Sequence, residues 1–115
     1  MTIGRHVAAA ILALSLAGCA NADFTATSNA HYRPWGDLVQ VTDKPPPVNY
    51  IRLGIVTAHG GWSDSETELI EVLKASAARE GANVIVLLGG RQPAGRNMFF
   101  LPQYDMSAMA IRTVR

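Results

Sequence analysis

His59, Trp62 and Arg91 are the side chains best suited to hold a small ligand. His59-Gly60-Gly61-Trp62 and Gly89-Gly90-Arg91 each follow a run of strand-forming residues. If those strands are parallel, both turns lie at one sheet edge, at the carboxyl ends where open sheets commonly bind ligands. With the N-terminus of the helix between them, they would form a small anion site. Against this, Asp64, Glu66 and Glu68 already bring negative charge to that helix end, and tight turns alone account for the glycines. Metal chemistry has less to build on. A metal site takes three or four donors, whereas His31 and His59 stand apart, with neither an H-x-x-x-H spacing nor a paired thiol. Glu68 and Glu71 are helix neighbours of the kind used in acid–base work, but a solvated acidic face explains them better. There is no G-x-S-x-G and no P-loop. No catalytic residue, no metal and no cofactor is therefore expected.

The remaining chemical group is the single thiol, Cys19. It follows a short head carrying Arg5 and an uncharged run over residues 7–17. That run is too short to cross a bilayer core, which takes roughly 20 apolar residues, but it has the build of a secretory signal. It ends in Leu16-Ala17-Gly18-Cys19, which resembles the lipobox of bacterial lipoproteins. The resemblance implies a diacylglyceryl group on the Cys19 sulfur, cleavage after Gly18, and an acylated N-terminus at Cys19. Each buried CH₂ contributes about 0.8 kcal/mol, so two or three chains hold a protein on a membrane where one does not. Ala20-Asn21-Ala22 also reads as an A-x-A cleavage site, which would release a soluble chain beginning at Asp23. Ala20, rather than an aspartate, follows the cysteine. By resemblance to enterobacterial sorting, that implies the outer membrane, facing the periplasm.

The chain has 115 residues, with ten Lys+Arg against nine Asp+Glu. That is one small domain, and it lacks the basic surplus that nucleic-acid binding requires. Loss of residues 1–18 removes Arg5 and leaves the mature chain formally neutral, so attachment would come from lipid rather than from charge. Residues 19–36 are small and polar and read as a lipidated N-terminus and flexible tether, with Tyr32 and Trp35 packing on the domain that occupies 37–115. In that domain, residues 38–42 alternate as a strand, ended by Pro45-Pro46-Pro47. Residues 50–58 form the next strand, with Ile51, Leu53, Ile55 and Thr57 on one face. Ser63 and Glu66 make a capping box for a helix running to about Glu80. Leu69, Ile70, Leu73 and Ala77 form its apolar stripe, and Gly81 is its C′ residue. Residues 83–88 (NVIVLL) form a strand buried on both faces. A long loop over 91–103 carries Met98, Phe99 and Phe100, and residues 106–114 close the domain. The order β–β–α–β–β predicts an α+β two-layer sandwich, a mixed sheet of about four strands with one helix on one face and antiparallel outer strands. The other face needs cover, from a lid formed by residues 98–102 or from a second protein.

Tyr50-x-x-Leu53-Gly54-x-Val56, the stretch Ala77-Ala78-Arg79-Glu80-Gly81-Ala82-Asn83-Val84-Ile85 and the final Ala108-Met109-Ala110-Ile111-Arg112 carry a resemblance. Over about residues 38–112 the chain resembles the small bacterial envelope lipoproteins with a YbjQ-like or Rcs-sensor-like α+β domain. The resemblance implies the fold. The heavy-metal label of one branch finds no Cys or Met/His cluster here, and the disulfides of the Rcs sensor find no second cysteine. The expectation is a lipid-anchored envelope protein acting as a non-catalytic interaction or sensory module. Cys19 would tie it to the membrane, and Met98, Phe99 and Phe100 would contact another envelope protein. The alternative is a small-ligand or metal-ion binding module using the turns around His59 and Arg91.

Overall fold

A computed structural model describes residues 20–114; Gly18, Cys19 and the signal sequence lie outside the described residues. The elements are β1 (Ala20–Ala26), β2 (Gln40–Thr42), β3 (Tyr50–Gly61), α1 (Glu66–Arg79), β4 (Val84–Leu87), β5 (Gln92–Arg96) and β6 (Pro102–Thr113). They build an α+β fold: one mixed six-stranded sheet, ordered β1-β3-β6-β4-β2 with β5 also on β6, and one helix against it. β3 and β4 are both antiparallel to β6 and so run parallel to each other, joined by the α1 crossover. The last strand thus lies at the centre, between the two strands that the helix connects. Of the two strands expected as outer antiparallel additions, β6 is antiparallel to its neighbours but central, and β2 lies at the edge but pairs parallel with β4; β1 adds a further antiparallel edge strand.

α1 buries Leu69, Leu73, Ser76 and Ala77. They meet Val56 and Ala58 of β3, Met106, Ala108 and Ala110 of β6, and Ile85 of β4. Small residues at 58, 108 and 110 let the helix sit close to the sheet. Truncating a fully buried leucine such as Leu69 or Leu73 to alanine costs about 2–5 kcal/mol. The helix begins two residues later than expected: Ser65, not Ser63, is the N-cap, accepting from the Glu68 amide at 3.2 Å. Asp64 instead turns inward and accepts from the Gly61 amide at 2.7 Å. At the far end Gly81 has φ +90°, the Gly81 amide donates to Ala78 and the Ala82 amide to Ala77. These are the paired bonds of a Schellman motif.

Residues 20–36 are not a tether. β1 pairs with β3 over its whole length, from Ala20 opposite Gly60 to Ala26 opposite Gly54. Ala20, Ala22 and Phe24 pack on the core, and the Phe24 ring lies over Gly54 so closely that a Cβ there would stand 2.6 Å from it. The chain then crosses the C-terminal end of α1, where the Trp35 amide donates to Ala78 at 2.7 Å. Tyr32 and Trp35 do pack on the domain, with the Arg112 guanidinium 5.3 and 4.7 Å from their rings. The folded unit therefore includes residues 20–36 and is not confined to 37–115.

A bulge between Arg52 and Gly54 shifts the alternation of β3. Leu53, Val56, Ala58 and Gly60 face the helix, while Ile55, Thr57 and His59 fall on the opposite face. The expectation that Leu53, Ile55 and Thr57 share a face fails for this reason. The opposite face has its own apolar cluster of Val84, Val86 and Ile111, flanked by Tyr50 and Met109. Residues 98–102 do not lid it. They form the end of a β5–β6 hairpin in place of the expected long loop, and Met98, Phe99 and Phe100 are exposed.

Candidate functional site

The β5–β6 hairpin ends in a turn over residues 97–101. The turn is held by its own backbone and by one side chain. Asn97 Oδ1 accepts from the amides of Phe99 (2.8 Å) and Leu101 (3.1 Å). The Asn97 amide donates to Leu101, and the Phe100 amide donates to Asn97, both at 3.0 Å. Arg96 Nη1 donates to the Phe100 carbonyl at 2.6 Å. Phe100 sits at φ +62°, a conformation that costs a side-chain-bearing residue roughly 1–2 kcal/mol. With the backbone polar groups so occupied, Met98, Phe99 and Phe100 point outward, 83%, 73% and 78% exposed. Three adjacent large apolar side chains on an ordered turn make a contiguous patch, not the scattered exposure that surfaces normally carry.

On the helix-free face, register builds a second constellation. His59 of β3 stands opposite Asn21 of β1 and Asp105 of β6. Its Nδ1 is 2.8 Å from Asp105 and its Nε2 is 2.8 Å from Asp23. A carboxylate only accepts, so both contacts are hydrogen bonds when the ring is protonated and each nitrogen donates. Consistently, the hydrogen bond to Asp105 raises the His59 pKa above the usual 6.5, with Asp23 adding to it and burial opposing it. Thr57 and Ser107 share a 2.9 Å hydroxyl contact on the same face. Ser107 is bonded to Thr57 and not to His59, whose two nitrogens both face aspartates, so the group lacks the serine–histidine contact of a hydrolytic triad. The arrangement is an ion-paired clamp across three strands. With side-chain exposures of 40%, 79% and 37% for His59, Asp23 and Asp105, it contributes little to stability.

His59, Trp62 and Arg91 are not brought together as one anion corner. His59 is on the helix-free face. Arg91 is on the helix side, where its Nη1 donates to the Asp64 carbonyl at 2.7 Å and its guanidinium lies 4.0 Å from the centre of the Tyr104 ring. Tyr104 pairs with Gly60, which faces Leu69 and Asp64. Trp62 leaves the end of β3 and is 58% exposed. Asp64, buried beside the helix start, supplies the negative charge an anion would have brought. Among the described residues, no group of three or more His, Cys, Asp or Glu is arranged to hold a metal ion. None of the buried side-chain polar atoms among them lacks a partner, so no orphaned group awaits a ligand.

Asp23 and Asp105 escape sequence reading because they lie 36 and 46 residues from His59. Only the strand register makes them its neighbours. Open clefts also mark the surface of the described residues. One of about 900 Å³ runs between α1 and the edge strand β1, along Ala20, Ala22, Val72 and Ala75. Another of about 310 Å³ lies beside Asp105 and Ser107.

No family model matches this chain, and no curated protein matches it. Its fold is similar to that of a Francisella virulence factor, FvfA, in its orthorhombic crystal structure. The TM-score is 0.56 and the sequence identity 17%, covering 79% of this chain and 96% of that one. At that identity the likeness is one of fold.

Proposed function

We propose that this chain is a lipid-anchored bacterial envelope protein whose small domain acts by contact rather than by catalysis. Its contact element is the turn bearing Met98, Phe99 and Phe100. The observation that carries this reading is the turn itself: an internally hydrogen-bonded loop that holds a strained Phe100 and shows three large apolar side chains to the outside. Backbone strain persists where the surroundings over-determine it and concentrates at working sites. An ordered loop also loses little entropy on binding.

Attachment is through acyl chains on Cys19, at the outer membrane facing the periplasm. The Leu16-Ala17-Gly18-Cys19 string supports it, and so does the role of the residues that follow. Ala20 and Ala22 pack on the core, so cleavage before Asp23 would strip three of the seven paired positions from β1. A ligand-binding module on His59 and Arg91 draws less support, because both cations already have protein partners and lie on different faces. Cell fractionation of Cys19→Ser tests the anchor: the chain is expected to leave the membrane fraction. Sedimentation with membranes as before would overturn it.

A further inference from the structure

We infer that the sheet end bearing Trp62 and the Met98, Phe99 and Phe100 turn rests on the lipid surface to which Cys19 is tied, with these side chains in the headgroup and upper acyl layer. The inference rests on the anchor reading above and names the partner of the contact turn.

Register carries it. Ala20 is opposite Gly60, and Gly60 is opposite Tyr104, so the start of β1, the end of β3 and the early part of β6 are level. Cys19 is one peptide step from Ala20, about 3.8 Å between Cα atoms. No tether separates the anchor from the sheet. Trp62 leaves β3 at this same level. The β5–β6 ladder continues past Tyr104 to the pair Arg96–Pro102, about 7 Å at strand rise. The 97–101 turn stands beyond that. With the anchored residue held at the surface and the sheet end-on, the turn reaches past the anchor into the lipid, leaving no gap for a protein between.

Composition agrees with the geometry. Tryptophan and phenylalanine favour the membrane interface. Residues 91–104 carry Arg91 and Arg96 and no acidic residue, which suits anionic headgroups. Glu66 and Glu68, in the first turn of α1, lie behind the hairpin tip, Glu66 close to Gly90 at its base and Glu68 along the cleft beside Ala20. Leu38 and Val48, exposed as well, belong to the opposite end, where Tyr50 meets Thr113.

The two tryptophans make the test direct. Full-length lipidated chain carrying Trp35→Phe, with Trp62 its sole tryptophan, is reconstituted in vesicles of phosphatidylethanolamine and phosphatidylglycerol. Acylation is verified first by intact mass, so failure of the anchor is separate from failure of the contact. Trp62 emission is expected to shift to shorter wavelength and to be quenched by lipids brominated near the top of the acyl chain. Replacing Met98, Phe99 and Phe100 together by serine is expected to remove most of that quenching while the melting temperature holds. Should Trp35→Phe fold poorly, a Trp62→Phe chain supplies the background for a difference spectrum. Trp62 equally open to aqueous iodide with and without vesicles would overturn the inference. So would a photo-crosslinking residue in place of Phe99 that, in cells, captures a protein instead of lipid.

Discussion

Gly54→Ala places a methyl group where β1 already is. Gly54 pairs with Ala26 on one side and Ala110 on the other, under the Phe24 ring. A Cβ there would lie 2.6 and 2.7 Å from two Phe24 ring atoms and against the Thr25 carbonyl oxygen. The ring can swing aside. The carbonyl cannot, unless β1 moves off β3. Overpacking of this kind costs typically 1–3 kcal/mol, and a backbone obstacle puts this site toward the upper part of that range. Restricting the unfolded chain by replacing glycine returns about 0.4–1 kcal/mol. The net loss is about 2 kcal/mol, which for a domain of this size lowers the melting temperature by roughly 8–16 °C. Gly36→Ala, whose Cβ would meet nothing within 4 Å, is the control and should change stability by less than about 0.5 kcal/mol. Thermal and denaturant melts of the two variants beside the parent decide the matter. If Gly54→Ala melts with the control, residues 20–26 are not packed on β3, and the placement of the anchor against the sheet is refuted.

Three further outcomes are expected. The His59 pKa is raised on folding, so the clamp's contribution is fully present below the unfolded value near 6.5 and is lost as pH rises through the folded value. The stability gap between the parent and His59→Gln, about 1 kcal/mol at most for groups this exposed, should therefore be largest in mildly acidic melts and shrink in alkaline ones. Ser65→Ala should cost about 1 kcal/mol as a lost N-cap, while Ser63→Ala stays near neutral; equal losses in urea melts would put the cap elsewhere. Asn97→Ala removes the acceptor that orders the hairpin turn. The amides of Phe99 and Leu101 should then exchange hydrogen faster, with the melting temperature nearly unchanged.

Local signals were legible where one element decides its own shape. Leu69, Leu73 and Ala77 recur at helical spacing and are buried, and Gly81 takes the left-handed conformation that the helix end requires. The cap falls at Ser65, two residues beyond the Ser63 that the capping-box spacing indicates. What separates them is Asp64 folding back to the Gly61 amide, a contact outside any helix-start pattern. β1 did carry an alternation, with Ala20, Ala22 and Phe24 inward and Asn21, Asp23 and Thr25 outward. Alanine signals strands weakly, so the segment resembles a linker. The bulge at Arg52 and Gly54 leaves no composition mark, yet it decides which face receives His59. Central placement of β6, and with it the Asp23–His59–Asp105 clamp, follows from long-range pairing. The Met98, Phe99 and Phe100 run was visible as an oddity, but whether it lids the sheet or projects depended on β5 pairing with β6, in a segment containing Pro93 and Gly95.

The intact mass of the mature polypeptide, extracted from the envelope in detergent, tests the central claim most directly. A chain beginning at Cys19 and heavier by a diacylglyceryl group and an amide-linked acyl chain is the result expected. An unmodified polypeptide beginning at Asp23 would contradict it.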